Sequence, residues 1–125
     1  MTDVGPLEIV QFSGPGYRGC RLAGEIDFTS TGPLQATLNA MILPGGGTVV
    51  VDLGGVDFID SSGLGALVQA DRMANERDTR LILVPSPAVR RLLRVTALDT
   101  VLETAPDLAA AAVAIASGQA TIRRS

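Results

Sequence analysis

The chain of 125 residues has no histidine, no lysine and no tryptophan, and each absence removes chemistry. Without histidine there is no Ser-His-Asp triad, no imidazole base and no His-bearing zinc site. Without lysine there is no Schiff-base nucleophile and no phosphate-binding loop ending in Lys-Ser/Thr. Aromatic residues make up only 3%, and the net charge is −3, so neither base-stacking platforms nor a basic footprint is available. Direct binding to nucleic acid is not expected. A single cysteine, Cys20, allows no internal disulfide and fits a reducing compartment. In an apolar segment it reads as a small buried hydrophobe. No apolar run approaches the length of a bilayer span, and no basic start precedes an apolar stretch. The sequence predicts a cytoplasmic protein with no signal peptide, no membrane insertion, no cofactor and no metal.

What is present is a 46% hydrophobic chain of one-domain length, organised around Val49 to Val68. Val49, Val50, Val51 and Leu53 lack polar alternation, as in a strand buried on both faces, and Gly54-Gly55 is expected to stop it. Asp60, Ser61 and Ser62 stand just before Leu64, Leu67 and Val68, so a hydroxyl or the carboxylate can cap the free amides of a helix.

Around this stretch the other elements follow in order. Leu7 to Phe12 and Tyr17 to Leu22 read as a hairpin across Ser13-Gly14-Pro15-Gly16. Gly14 to Gly19 spells Gly-x-Gly-x-x-Gly, but a strand rather than a helix follows, so the turn is not a cofactor loop. Ala23 to Asp27 then ends the second strand, with Glu25 and Asp27 around a turn. Ser30 or Thr31 can cap a helix faced by Leu34, Leu38, Met41 and Ile42, which Pro44-Gly45-Gly46-Gly47 ends. The helix after Ser62 carries Asp71, Arg72, Asn75, Glu76 and Arg77 on its outer side. Leu81 to Val84 is a short strand, and Ser86-Pro87 opens a helix with Arg90, Arg91 and Arg94 along a solvated face. Val101 and Leu102 suggest a last strand. Thr104 to Asp107 resembles a capping box before an Ala-rich helix, Leu108 to Ala116, ended by Gly118.

Helices between most strands imply parallel neighbours with right-handed crossovers, and the opening hairpin adds one antiparallel pair. The expected fold is a single α/β domain with a mixed sheet of about five strands and about four helices. Its core covers about residues 7–117, with loose ends at Met1 to Pro6 and Gln119 to Ser125. Asp27 and the Asp57 to Ser62 turn both follow strand carboxyl ends, where functional groups gather in open α/β sheets.

Leu22-Ala-Gly-Glu25-Ile-Asp27, Val50-Val-Asp52-Leu and Phe58-Ile-Asp60-Ser61-Ser62-Gly63-Leu64-Gly65 resemble the signature stretches of STAS domains, specifically bacterial anti-sigma factor antagonists. Pro85-Ser-Pro87-Ala-Val-Arg-Arg-Leu is similar to the start of the family's third helix, and the likeness runs from about Leu7 to Ala116. The resemblance implies a regulator rather than an enzyme, with Ser61 as phosphoacceptor; spacing alone leaves Ser61 and Ser62 open. It implies a partner that is both anti-sigma factor and serine kinase, and a phosphoserine phosphatase. Partner contacts are then expected from Glu25, Asp27, Asp57, Asp60, Ser61, Ser62, Gly63 and Leu64.

On spacing alone, a plain helix cap is the favoured reading of Ser61, with Asp60 an alternative cap, and it is the resemblance that points to a phosphoacceptor. Two other functions are compatible with the residues. One is an unmodified STAS scaffold subunit of a lipid-transport or stress-signalling complex. The other is a serine hydrolase, which would have only a carboxylate for its base.

Overall fold

Three consecutive valines at Val49 to Val51 fix the middle of the sheet, because β-branched side chains pack well on a pleated surface covered on both sides. All three are fully buried. The computed structural model describes residues 7–118; the expectations for the two chain ends lie outside these residues. In order, the elements are β1 (Glu8–Gly14), β2 (Tyr17–Ile26), α1 (Thr31–Ile42), β3 (Thr48–Ile59), α2 (Ser61–Glu76), β4 (Arg80–Pro85), α3 (Pro87–Val95), a 3-10 turn (Leu98–Thr100) and α4 (Leu108–Ser117). The sheet order is β1-β2-β3-β4, antiparallel at the opening hairpin and parallel thereafter.

Alternation along β3 divides the core. Val49 and Val51 join Cys20, Leu22, Leu38, Leu67 and Ala70 in a cluster that takes in α1 and α2. Val50 joins Ile82, Val84 and Ala111 in a second cluster that takes in α4 and the partly buried Phe12 and Tyr17. The predicted face of α1, Leu34, Leu38, Met41 and Ile42, is buried as expected.

Several expectations change. Gly54-Gly55 does not stop β3, which runs on to Ile59. The glycines accompany irregular pairing with β2, where the register shifts between Arg21 and Ala23 and again between Gly24 and Glu25. A Cβ at Gly55 would lie 2.9 Å from Ala23 Cβ, so β2 and β3 approach there closer than a side chain permits. At the second shift Asp57 has no partner, while Val56 pairs with Gly24 and Phe58 with Glu25. That extra residue reverses the phase of the strand, so Asp57 and Phe58 are both exposed and Ile59 returns to the core.

The strand suggested at Val101 and Leu102 is absent. Leu98–Thr100 forms a 3-10 turn instead, and the chain reaches the sheet edge only through a bridge between Leu83 and Thr104. About five strands therefore become four and a bridge. Thr104 does not cap α4; Asp107 does, accepting from Ala110 N at 2.7 Å. Asp71 is buried rather than on the outer side of α2. It lies three to seven residues from Leu64, Leu67 and Ala74, on their stripe, and accepts from Asn75 Nδ2 at 3.5 Å. Among the described residues, no helix is long and apolar enough to cross a membrane.

Candidate functional site

Parallel pairing of β2 and β3 ends at the pair Ile26 and Ile59, so the next residue of each strand emerges at one edge. The Asp60 N–H donates to Ile26 O at 3.1 Å and holds the two loops together. Asp27 and Asp60 are thereby brought side by side, as their positions after strand ends imply.

Asp60 is the cap of α2. Its Oδ1 accepts from Gly63 N at 3.0 Å and from Ser62 Oγ at 2.6 Å. These bonds, the Ser62 hydroxyl first, hold its carboxyl below the usual carboxylate range, with a backbone N–H from Phe28 adding to them. Asp27 Oδ1 accepts from Thr29 Oγ1 at 2.6 Å and Thr29 N at 2.9 Å, which lowers its carboxyl likewise, against a small opposing push from Asp60. Both groups are ionised at neutral pH.

Ser61 is left without a structural duty. It is the first residue of α2, it is exposed, and among the described residues its hydroxyl has no hydrogen-bond partner. Of the caps the sequence left open, a hydroxyl or the carboxylate, the carboxylate is the one used, and Ser62 serves the carboxylate. Ser30 behaves similarly at α1, where it makes no side-chain cap; its Oγ accepts from Asp27 N at 3.0 Å and lies 3.1 Å from Asp27 O.

Gly63 and Leu64 are buried beneath this surface, and their part is to seat the helix. A Cβ at Gly63 would fall 2.5 Å from Ile26 Cγ2 and 2.9 Å from Ile59 Cγ1. Only glycine lets the first turn of α2 settle onto the strand ends. Glu25 is half-buried in β2 opposite Phe58, and Asp57 is exposed at the bulge. Of the predicted residues, Asp27, Asp60, Ser61 and Ser62 form one surface, while Asp57 opens toward α3.

Sequence reasoning passed over two residues here. Phe28 is 75% exposed and Phe58 47% exposed, two of only three phenylalanines in the chain. Phe28 stands in the polar run Asp27-Phe28-Thr29-Ser30, which was a signal. Phe58 gave none, because its outward turn depends on the bulge.

The arrangement suits covalent modification better than catalysis. Neither carboxylate is a fit base for Ser61: both have lowered affinity for a proton, and Asp60 Oδ1 already accepts two hydrogen bonds. A phosphate at the first residue of α2, in contrast, would lie among amides at the positive end of a helix.

Comparison with known proteins follows the same lines. A family model described as "Mlab, STAS domain" matches residues 19–108. An anti-sigma F factor antagonist of Lysinibacillus sphaericus is 34% identical over 80 residues, 62% of this chain and 68% of the relative. An anti-sigma-B factor antagonist of Listeria monocytogenes is 31% identical over 83 residues, 66% of this chain and 73% of the relative. The crystal structure of an anti-sigma factor antagonist from Mycobacterium paratuberculosis superposes with a TM-score of 0.82 at 26% identity, covering 89% of this chain and 95% of that one.

Proposed function

The chain belongs to the STAS domain family, and from that premise we propose that it is an anti-sigma factor antagonist switched by phosphorylation of Ser61. The bare protein binds an anti-sigma factor and so releases a sigma factor; phosphorylated protein does not bind. It is a regulator and not an enzyme. The anti-sigma factor is also the serine kinase, and a phosphoserine phosphatase resets the switch.

The observation that carries this reading is the exposed, unbonded hydroxyl of Ser61 beside two ionised carboxylates. A phosphate adds about −1.5 to −2 charges. The positive end of the α2 dipole accommodates it, so the domain itself stays folded. A partner seated over the surface meets a doubled negative charge and loses contact with a group it must now desolvate. The Ser62 hydroxyl is committed to Asp60, which favours Ser61 as acceptor.

The test is phosphopeptide mapping of protein from its host in growth and under stress, followed by binding of bare and Ser61-phosphorylated protein to the anti-sigma factor. Phosphate on Ser61 that varies with condition, and binding lost on phosphorylation, are expected. Equal binding by the two forms would overturn the switch. No phosphate under any condition would point to the unmodified scaffold instead. Ser61→Ala should abolish modification and shift stability by less than about 0.5 kcal/mol, since it removes an exposed, unbonded group.

A further inference from the structure

Two grooves reach residues close to Ser61, one lined in part by Ser62 and the other by Ile59, and they differ in chemistry. Between α1 and α2 lies an open groove of about 710 Å³ whose walls are mostly polar, with Gln35, Asn39, Gln69, Arg72 and Glu76 among them. On the other side, between the end of β3 and α3, lies a smaller groove of about 300 Å³ formed by Asp57, Phe58, Ala88, Arg91, Leu92 and Val95. Its rim carries apolar surface that the fold leaves uncovered: Val95 is 76% exposed and Phe58 47%. Leu92 is only half-buried. Phe28, 75% exposed, extends the apolar surface at the Ser61 turn, because its N–H bonds the Asp60 carboxylate.

The charge on the helix wall of this groove is one-sided. Helix α3, Pro87–Val95, carries three arginines and no carboxylate. Arg90 is used within the chain, donating from Nη2 to Pro85 O at 3.3 Å. Arg91 is exposed and has no carboxylate within 4.0 Å among the described residues, although Asp57 lines the same groove. An arginine beside an apolar cleft, with no acid of its own, is an anchor point awaiting one.

Resting on the partner-switch reading, we propose that the anti-sigma factor docks in the β3–α3 groove and not in the α1–α2 groove. The occupant is a segment that places one or two large apolar side chains between Phe58, Leu92 and Val95 and brings an aspartate or glutamate to Arg91. The volume suits side chains rather than a free small molecule, being at the bottom of the usual ligand-pocket range. The bulge at Asp57 joins the groove to the switch, since the strand that turns Phe58 outward leads directly into Asp60 and Ser61. A phosphate on Ser61 then acts at the border of the interface. An incoming acidic segment is repelled by it more strongly than a neutral one.

The experiment measures binding of the unphosphorylated full chain and its variants to the anti-sigma factor by calorimetry, with the thermal midpoint of each variant recorded. Val95→Asp and Arg91→Glu alter exposed side chains, so their midpoints should stay within a few degrees of wild type. Each is expected to weaken binding at least tenfold. Arg91→Ala should weaken it less than Arg91→Glu, because only the latter repels an acid. Arg72→Glu, in the other groove, should bind within threefold of wild type. The proposal is overturned if Val95→Asp and Arg91→Glu bind within threefold of wild type, or if Arg72→Glu loses as much as they do. Failure of the wild-type chain itself to bind refutes the partner-switch reading, and this proposal with it.

Discussion

Two glycines in the first turns of α2 are expected to respond to the same substitution with opposite sign. At Gly63 an alanine Cβ would meet Ile26 Cγ2 at 2.5 Å and Ile59 Cγ1 at 2.9 Å. Ile26 is fully buried and Ile59 nearly so, which leaves them little room to give. Forcing a methyl into such a core costs about 2 kcal/mol, within the usual 1–3. Alanine returns at most ~1 kcal/mol of helix propensity. The net is a loss of about 1 kcal/mol, a fall in Tm of roughly 4 °C for a chain of this length. At Gly65 a Cβ would have nothing within 4 Å. Only the propensity applies there, so Gly65→Ala should gain about 1 kcal/mol and raise Tm by roughly 4 °C. Urea denaturation of both variants, with thermal melts alongside, measures the difference of about 2 kcal/mol. A stabilised Gly63→Ala, or two variants shifted in the same direction by the same amount, would refute the packing argument.

Stability should also fall in acid partly through the site itself. Hydrogen bonds hold the Asp60 and Asp27 carboxyls below their ordinary value in the folded protein. Their contribution is therefore complete above the unfolded carboxylate value, about 4, and disappears as pH falls through the lower folded values. Asp60→Asn keeps a capping side chain and removes that group's titration, so urea melts from pH 7 to 3 should show a shallower acid loss than wild type; an identical slope would exclude Asp60 as a contributor. Cys20 is fully buried, and burial first and the charge of Asp52 second push its thiol up to about 11. A disulfide reagent at pH 8 should label native protein far more slowly than protein in denaturant, and prompt labelling of the native form would contradict this.

Much of the site was legible because its logic is local. Asp60, Ser61 and Ser62 stand at the junction of an apolar strand and an apolar helix stripe, and the cap must come from within that short run. Ser86 before Pro87 was legible for the same reason, and its Oγ accepts from Val89 N at 3.2 Å. Which of three adjacent side chains does the capping was not, because a serine and an aspartate serve equally until the backbone direction is known. The continuation of β3 past Gly54-Gly55 was hidden because it depends on how β2 lies beside it, and the exposure of Phe58 depends in turn on the bulge. Asp71 was misplaced by composition: a charged residue was assigned to solvent although its spacing put it on the buried stripe. The strand expected at Val101 failed because two apolar residues alone cannot distinguish an edge strand from a turn that tucks Leu102 inward.

The division of labour at the head of α2 has an evolutionary consequence. Asp60 holds the helix and Ser62 steadies Asp60, so the middle residue answers to no demand of folding. Position 61 is open to substitution without a toll on the scaffold. Under the proposed switch, a single codon change there turns a reversible binder into a permanently active one, and another turns it into a permanently silent one. Duplicated copies of such a gene are therefore one mutational step from distinct regulatory behaviours, with the fold and the docking surface inherited intact.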